Sequence, residues 1–257
     1  MRAQIRLLAI PVAVLLGSAA ALAHAEDKTT ELKPFDGLQI NGCFDVKLEP
    51  GTPARAVLSA TSDQLSRVRV EQDGKQVRIG FVEREDYTVC RGAPIRVSIT
   101  ASFAASDSVD LGLGGSGSLD ANVQRVAKLA GSVSGSGRIA LRGAAADCKF
   151  TISGSGSADA SAFACDSSAR VNVSGSGSAK LSGTTKECEV VINGSGGVNA
   201  DAADCASADV TINGSGSVGL GKPTSLSAHI NGSGNVKYHG DPTLRQAING
   251  SGKLIKE

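Results

Sequence analysis

The chain has 257 residues and nearly balanced charge, with 26 Lys and Arg against 25 Asp and Glu. Nucleic-acid binders and polybasic membrane binders carry a basic stripe or cluster, and this sequence shows neither, which excludes both classes. The lack of Trp, with only two Tyr and six Phe, argues against a deep cleft in which sugar rings stack on aromatic side chains.

The first 25 residues have the features of a secretory signal peptide. Arg2 and Arg6 precede an uncharged apolar run from Leu7 to Leu16, and small residues follow as far as Ala25. That run is too short to span ~30 Å of hydrocarbon, so we expect cleavage and a mature chain beginning near Glu26. No cysteine is placed there for lipid attachment, and no later segment is apolar enough to span a membrane. The sequence predicts an exported protein, either periplasmic or at the cell surface.

Residues 26–106 carry the alternation of apolar and polar residues that is typical of short strands. The clearest examples are Phe44-Val46-Leu48, Val68-Val70, Val77-Ile79-Phe81 and Ile95-Val97-Ile99. Turns are expected at Gly51, Gly74 and Gly92. We interpret this part as either irregular opening coils or a small β cap over the end of a solenoid, and we favour coils continuous with the following segment.

Residues 107–257 contain the sequence Gly-Ser-Gly eight times, at spacings of 18 to 21 residues. Apolar residues recur at fixed offsets, two before and four after each leading glycine, so the segment is not a flexible Gly/Ser linker. Each repeat is predicted to be a strand, a corner and a second strand. The leading glycines are Gly115, Gly135, Gly154, Gly175, Gly194, Gly214, Gly232 and Gly250.

One such repeat cannot bury its apolar side alone, whereas stacked copies can. The sequence therefore predicts an all-β parallel solenoid of about eight coils, each pairing with the next at ~4.8 Å. Both corner glycines are expected to supply backbone angles that a side chain would forbid. The serine hydroxyls between them are expected to form a ladder along the stack.

Asparagine precedes the leading glycine in the last four corners, at Asn193, Asn213, Asn231 and Asn249. Stacked asparagine side chains can hydrogen-bond along a β-stack, so we expect a second ladder here. Each also matches the Asn-Gly-Ser glycosylation signal, which we interpret as a false positive because it falls inside a structural corner.

An even number of cysteines in an exported protein predicts disulfides, and the closest two lie 17 residues apart, which does not suit a zinc site. Relative to the preceding corner glycine, two cysteines lie at offset 13 and two at offset 11. This predicts one column of four, paired as Cys148 with Cys165 and Cys188 with Cys205. Cys43 is then left to pair with Cys90.

The sequence Ile-Asn-Gly-Ser-Gly recurs at residues 192–196, 212–216, 230–234 and 248–252, after a β-rich segment that opens with Phe35-Asp36-Gly37-Leu38-Gln39-Ile40. With this combination, residues 34–255 resemble the head GIN domain of auto-transporter adhesins. The resemblance implies a right-handed parallel β-helix at the cell envelope or surface, with an adhesive role and no catalytic residues.

The leading functional expectation is a non-catalytic binding module that presents small polar residues to glycan or protein partners. Thr151, Asn172, Thr211 and His229 are among the side chains expected to point outward. An envelope assembly or stress scaffold is the alternative, because a solvated solenoid face has the same composition.

A polysaccharide lyase or hydrolase is the second alternative. Asp120 and Asp159 occupy the same outward offset two coils apart, about 9.6 Å from each other, a distance that paired catalytic carboxylates tolerate. His229 and His239 show no acid or nucleophile partner. The calcium-roll pattern G-G-x-G-x-D is not met, because the aspartate comes one position late and only in one corner. No catalytic residue, metal or cofactor is predicted.

The last four residues, from Leu254 to Glu257, follow the eighth corner directly. An uncovered coil edge is a template for strand pairing, although Lys253 and Lys256 oppose it. We therefore expect end-to-end homo-oligomers.

Overall fold

The computed structural model describes residues 25–83, 87–91, 94–105 and 107–257. The predicted signal peptide, apart from Ala25, lies outside them. The described chain is all-β, one continuous sheet wound into a parallel solenoid, so the predicted fold class is confirmed. The helices are α1 (Ser62–Arg67) and a 3-10 turn (Tyr87–Cys90). The strands are β1 (Glu26–Glu31), β2 (Gly37–Gly42), β3 (Phe44–Pro50), β4 (Arg55–Ala60), β5 (Val68–Asp73), β6 (Gln76–Phe81), β7 (Ile95–Ala101), β8 (Ser108–Gly115), β9 (Ser118–Gly135), β10 (Arg138–Gly154), β11 (Ser157–Gly175), β12 (Ser178–Gly194), β13 (Gly197–Gly214), β14 (Ser217–Leu220), β15 (Ser225–Gly232), β16 (Asn235–Tyr238), β17 (Thr243–Gly250) and β18 (Lys253–Lys256).

The core of the solenoid is made by residues of equal offset that stack inside the coils. Ile152, Val173, Ile192, Ile212 and Ile230 are in register on successive coils and are completely buried. Their sequence neighbours alternate outward, as period-2 side-chain direction in a strand requires. The repeat therefore buries its apolar side only through its neighbours.

The two glycines of each corner have different roles. Gly214 has a φ of +131°, and a Cβ added there would lie 2.4 Å from the backbone oxygen of Gly194 on the preceding coil. Gly216 lies outside the left-handed region, but its added Cβ would lie 2.8 Å from the oxygen of Gly196. The predicted backbone constraint is correct for the leading glycine. For the trailing glycine it is wrong, since close approach of adjacent coils is what excludes a side chain there.

The corner serines bond along the stack through their backbone. The N–H of Ser195 donates to the oxygen of Gly175 at 2.9 Å, and the N–H of Ser215 donates to Gly194 at 2.9 Å. The serine side chains are exposed, and within the described ranges their hydroxyls make no hydrogen bond. The predicted hydroxyl ladder is therefore wrong: the backbone satisfies the corner, and serine is accommodated because it is small and polar.

A ninth corner precedes the eight that the Gly-Ser-Gly count identifies. Asn41 and Gly42 stand in register with Gly114 and Gly115, and Gly42 has a φ of +147°. The sequence Ile40-Asn41-Gly42 repeats the motif of the later corners, but Cys43 replaces the serine. The Ile-Asn-Gly sequence marks this corner, but the Gly-Ser-Gly pattern does not include it because Cys43 follows the glycine.

Spatial order departs from chain order at the N-terminal end. The coil β2–β3 lies between two others, with β6–β7 on one side and β8–β9 on the other, all pairing in parallel. Along the chain, the coil β2–β3 comes first although it is second in the stack. The terminal coil β6–β7 follows it in sequence, and the repeats begin with β8–β9 on the other side of β2–β3. Strands β2, β3, β6 and β7 extend the parallel stack, although not in sequence order.

The terminal coil is covered by antiparallel elements. Strand β4 pairs with β7, β1 pairs with β4, and β5 pairs with β6. Helix α1 connects β4 to β5, begins with a capping box between Thr61 and Gln64, and buries Leu65. The Gln64 side chain also donates to the oxygen of Val89 at 3.1 Å, which fixes the helix against the loop that leads to β7.

The three disulfides join the predicted partners: Cys43 with Cys90, Cys148 with Cys165, and Cys188 with Cys205. The predicted single column is wrong. Cys148 and Cys188 share a column with Ala169 between them, whereas Cys165 faces Ala145 in a neighbouring column. Cys205 likewise faces Thr185, three residues before Cys188, so each bridge crosses diagonally between adjacent coils at a Cα separation of 5.8 Å.

Candidate binding surface

The most regular polar feature is a column of four asparagines beside the corners, which we call the amide column (Asn193, Asn213, Asn231 and Asn249). The Nδ2 of Asn213 donates to the Oδ1 of Asn193 at 2.9 Å. The same bond recurs from Asn231 to Asn213 at 2.9 Å and from Asn249 to Asn231 at 3.0 Å. The predicted asparagine ladder is confirmed.

The amide column forms because parallel, in-register coils place identical side chains one strand spacing apart, about 4.8 Å. Each inner amide uses one N–H and one oxygen lone pair within the ladder. Its second N–H and second lone pair remain directed away from the ladder bonds. The result is a rigid row of paired donors and acceptors that repeats once per coil.

A second outward column runs beside the amide column, two residues earlier in each strand. Its members include no Asp, Glu, Lys or Arg in seven successive coils: Ser132, Thr151, Asn172, Val191, Thr211, His229 and Ala247. The serines that precede the amide column in register are Ser134, Ser153 and Ser174. These serines belong to the same register column as the asparagines, and we call this column and the second outward column together the polar face.

Charged side chains appear in the next outward column on the same strands. Arg170 pairs with Glu189 at 3.1 Å, and Asp209 follows Glu189 in register. A shallow depression of 180 Å³ lies here, lined by Ser168, Arg170, Glu187, Cys188, Glu189, Ser207 and Asp209. Because Arg170 already neutralises one carboxylate, this edge borders the polar face with mixed charge rather than with a field of one sign.

The two aspartates considered for glycoside chemistry are held in ion pairs on the other side of the corners. Ala140 lies in register between Asp120 and Asp159, as predicted. Arg142 lies 3.0 Å from Asp120, and Arg138 lies 2.6 Å from Asp159. The Ser161 hydroxyl donates to Asp159 and lowers the pKa of that carboxyl, an effect that the positive charges of Arg138 and Lys180 reinforce. A general acid for glycoside cleavage needs a raised pKa, which this environment opposes.

The two histidines of the repeat region have different surroundings. His229 is exposed on β15 within the polar face. His239 has an acidic neighbour that the sequence did not indicate: its Nδ1 lies 3.3 Å from the backbone oxygen of Glu257, and its Nε2 lies 4.0 Å from the Glu257 carboxylate. Lys237 also pairs with that carboxylate, at 2.5 Å. Glu257 thus bridges two side chains of the preceding coil, an arrangement that fastens the last strand.

A groove of 840 Å³ lies where the β5–β6 ribbon rises beside the first two corners. Ile79, Phe81 and Val82 form its apolar part, and Val82 is 47% exposed. Arg69 on its wall pairs with Glu71 at 2.8 Å. No sequence pattern pointed to this groove, because it depends on the antiparallel ribbon.

Among the residues that the structure describes, no group of three or more His, Cys, Asp or Glu side chains is arranged to hold a metal ion. No helix in that part of the chain is long and apolar enough to cross a membrane.

Comparison with known proteins places this geometry among related structures. A family model described as "Putative auto-transporter adhesin, head GIN domain" matches residues 34–179 and 167–242. The crystal structure of a "Putative lipid binding protein" from Parabacteroides distasonis is similar, with a TM-score of 0.75 and 22% identity over 92% of this chain and 98% of that one. A "putative adhesin" from Parabacteroides merdae has a TM-score of 0.71 and 18% identity over 92% and 97%. A "putative adhesin" from Bacteroides fragilis has a TM-score of 0.58 and 15% identity over 91% and 97%. No curated protein matches.

Proposed function

The chain belongs to the head GIN domain family of auto-transporter adhesins, and from this we propose that it is an exported, non-catalytic adhesin-like module that binds a glycan on its polar face. Adhesion needs a stable surface that presents the same contacts repeatedly. The amide column is the observation that carries the proposal, because its hydrogen bonds hold four amides in fixed orientation with donors and acceptors to spare.

A glycan suits this surface better than a protein does. Sugar hydroxyls both donate and accept, as do the amides and hydroxyls of the polar face. Protein interfaces depend on aromatic and arginine anchors in desolvated pockets, and the two columns of the polar face contain neither. Individual contacts on such a surface are weak, so affinity would come from several rungs acting on one chain of sugars.

The non-catalytic part of the proposal is supported by the two aspartates. Each is paired with its own arginine, and the pKa of Asp159 is lowered rather than raised. Export is supported by the three disulfides, which persist in oxidising compartments, and by the predicted leader. We place the mature protein in the periplasm or at the cell surface.

The test is a glycan array probed with labelled residues 26–257, combined with fractionation of cells that express the full chain. Binding without product release would support the module. The double variant Asn213→Ala/Asn231→Ala should lose at least about tenfold in affinity, since it removes the middle of the ladder. The matched control is Ser178→Ala, which is exposed on the strands beyond the corners.

Three outcomes would redirect the proposal. Release of shortened sugar products would favour a lyase or hydrolase. Failure to bind any glycan, together with cross-linking to envelope proteins, would favour the assembly or stress scaffold. Equal loss of affinity in Ser178→Ala and in the double variant would move the site away from the polar face.

A lipid is the second candidate ligand. The similar structure from Parabacteroides distasonis carries a lipid-binding description, and the groove of this chain combines Ile79, Phe81 and an exposed Val82. Co-sedimentation with phospholipid vesicles tests it. Binding that is abolished by Val82→Asp and retained by Asn213→Ala/Asn231→Ala would establish the groove as the site, and lack of co-sedimentation would eliminate it.

A further inference from the structure

The dipeptide Asn-Gly occurs five times in the chain, and the structure places each copy at a corner of the solenoid. Four copies contain the asparagines of the amide column, and the fifth is Asn41-Gly42. Because glycine has no side chain, its backbone nitrogen can approach the carboxamide of the preceding asparagine. Each of these corners is therefore a potential site of deamidation, the conversion of asparagine to aspartate or isoaspartate.

The backbone and the solvent exposure are alike at the five sites. The glycine that follows each asparagine has a positive φ, between +128° and +147°. All five asparagines are exposed, so water reaches every one of them. The sites differ instead in the hydrogen bonds that hold each carboxamide.

The ladder holds the members of the amide column to different extents. Asn213 and Asn231 each make two hydrogen bonds in it, one as donor and one as acceptor. Asn193 only accepts and Asn249 only donates, so each of them makes one. Deamidation requires the side-chain carbonyl carbon to turn toward the next backbone nitrogen, which breaks these bonds. Each hydrogen bond of ordinary net strength therefore slows the reaction by about fivefold.

The carboxamide of Asn41 has no such restraint. It makes no hydrogen bond among the residues that the structure describes. Glycine lies beside it on both neighbouring coils. A Cβ added at Gly114 would lie 2.5 Å from the Asn41 Oδ1, and one added at Gly80 would lie 3.9 Å from the Asn41 Cβ. Since neither neighbour has a side chain, the Asn41 carboxamide can turn toward the nitrogen of Gly42.

We propose that Asn41 is a site of spontaneous deamidation and that the ladder protects the equivalent asparagines of the amide column. The backbone nitrogen of Gly42 loses its proton and attacks the Asn41 Cγ, forming an N–Cγ bond. The Cγ–Nδ2 bond breaks, and the departing nitrogen takes up a proton and leaves as ammonia. Water then opens the cyclic imide at either carbonyl and gives aspartate or isoaspartate at position 41. Water is the only co-reactant, so the step needs no oxidant, reductant or cofactor.

The modification changes the groove beside the β5–β6 ribbon. Asn41 lines this groove together with Arg78, which has no ion-pair partner in the described part of the chain. Aspartate or isoaspartate at position 41 adds a negative charge there at neutral pH. Isoaspartate also lengthens the backbone by one methylene group, at a corner that pairs in register with Gly114 and Gly115. The proposal does not depend on the ligand of the polar face.

The direction of the ladder makes the two ends of the amide column respond differently to deamidation. Each hydrogen bond runs from the Nδ2 of the later asparagine to the Oδ1 of the earlier one. Aspartate in place of Asn193 still accepts from Asn213, because a carboxylate is an acceptor. Aspartate in place of Asn249 cannot donate to Asn231, which is left with one hydrogen bond instead of two. Deamidation of Asn249 thus makes Asn231 more reactive, whereas deamidation of Asn193 leaves Asn213 protected.

Peptide mapping by mass spectrometry tests the proposal on residues 26–257 incubated in mildly alkaline buffer, with the fraction deamidated at each site followed over time. We expect Asn41 to react about fivefold faster than the two end members of the amide column and about 25-fold faster than the two inner members. In urea, where the ladder is lost, the five rates should converge. Asn41→Gln is the control that removes the reactive dipeptide from this corner.

Variants of the amide column test whether the ladder is what protects it. Asn213→Ala leaves Asn193 with no ladder bond and Asn231 with one, so both should react about fivefold faster while Asn41 is unchanged. Asn249→Asp should raise the rate at Asn231 about fivefold, and Asn193→Asp should leave the rate at Asn213 unchanged. Circular dichroism establishes that each variant retains the fold.

A rate at Asn41 no higher than the rate at Asn213 in the folded protein would overturn the proposal. So would an absence of modification at Asn41 over a period in which the urea-unfolded chain is converted. Equal rates at Asn193 in the wild type and in Asn213→Ala would show that the ladder does not protect the column.

Discussion

The repeat stack from β8 to β18 and the N-terminal end from β1 to β7 are built on the same coil but are held together differently. In the stack, each coil contacts the next through identical columns, and the corner is repeated by glycine, serine and asparagine. At the N-terminal end, the coils are interleaved out of chain order and fixed by antiparallel strands, a capped helix and a long-range disulfide. Regular sequence gives local, additive contacts, whereas the irregular end depends on a few distant ones.

This difference has consequences for stability. In a solenoid, stability is approximately the sum of repeat and nearest-neighbour terms, so loss of one contact is limited to adjacent coils. In the N-terminal end, β2 and β3 are each paired on both sides by strands more than 35 residues away in sequence, so fixing the chain there has a larger entropy cost. Substitutions that are matched between the two regions should reveal the contrast.

The largest expected effects come from removal of disulfides. The double variant Cys43→Ala/Cys90→Ala removes a tie across 47 residues, and Cys188→Ala/Cys205→Ala removes one across 17. Restriction of the unfolded chain gives about 4 kcal/mol for the longer loop and about 3 kcal/mol for the shorter. Urea unfolding followed by circular dichroism measures both. Equal losses, or a larger loss in the stack, would show that the N-terminal end does not depend on its long-range tie.

Glycines at turns provide the next contrast. Gly214→Ala places a Cβ at a φ of +131° with a backbone oxygen 2.4 Å away, and should destabilise the protein by about 3 kcal/mol. Gly74→Ala, in the β5–β6 turn, should cost only about 1 kcal/mol, since its φ is +57° and nothing lies within 4 Å of the new Cβ. The shift in unfolding midpoint measures each. Comparable shifts would mean that backbone angle alone, without coil contact, determines the glycine requirement.

Sequence reasoning succeeded where one physical rule repeats. Apolar residues at fixed offsets from a glycine corner predict stacked strands, and the columns at Ile192, Ile212 and Ile230 follow directly. The asparagine ladder follows from the same register. The disulfide pairs were predicted although their column was not, because the one-residue register shifts after Ala140 and Lys180 are tertiary adjustments that corner spacing does not reveal.

Sequence reasoning failed where pairing is non-local. The sequences of β6 and β7 do not predict that these strands lie outside β2 and β3 in the stack, because alternation of apolar and polar residues identifies a strand but not its neighbours. Helix α1 was not predicted although Thr61 and Gln64 have capping-box spacing. Its six residues are too few to show a helical pattern of apolar residues. The groove beside β5–β6 and the partner of His239 both arise from such long-range contacts.

A smaller difference in stability is expected between asparagines at equivalent corner positions of the two regions. Asn213→Ala removes two amide hydrogen bonds in the stack and should destabilise it by about 1 kcal/mol. Asn41→Ala, at the N-terminal corner, should be within about 0.5 kcal/mol of wild type, since Asn41 is exposed and faces Gly114 in place of another asparagine. Thermal unfolding of both variants measures the effect. An equal cost at Asn41 would mean that the asparagine acts on its own corner and not through the ladder.

The smallest expected effect comes from one substitution, Thr to Val, made in both regions. It should stabilise the protein at Thr185 and destabilise it at Thr61. Thr185 is 6% exposed in the column that contains Cys205, and its hydroxyl finds no hydrogen-bond partner in the described structure. Burying an unpaired hydroxyl is unfavourable, so Thr185→Val, which preserves the branched shape, should stabilise the protein by about 0.5 to 1 kcal/mol. The hydroxyl of Thr61, in contrast, accepts from the backbone N–H of Gln64 at 3.3 Å and caps helix α1. Thr61→Val should therefore destabilise by about 1 kcal/mol. Urea midpoints of the two variants measure the difference, and a loss of stability in Thr185→Val would show that its hydroxyl is satisfied by water inside the coil.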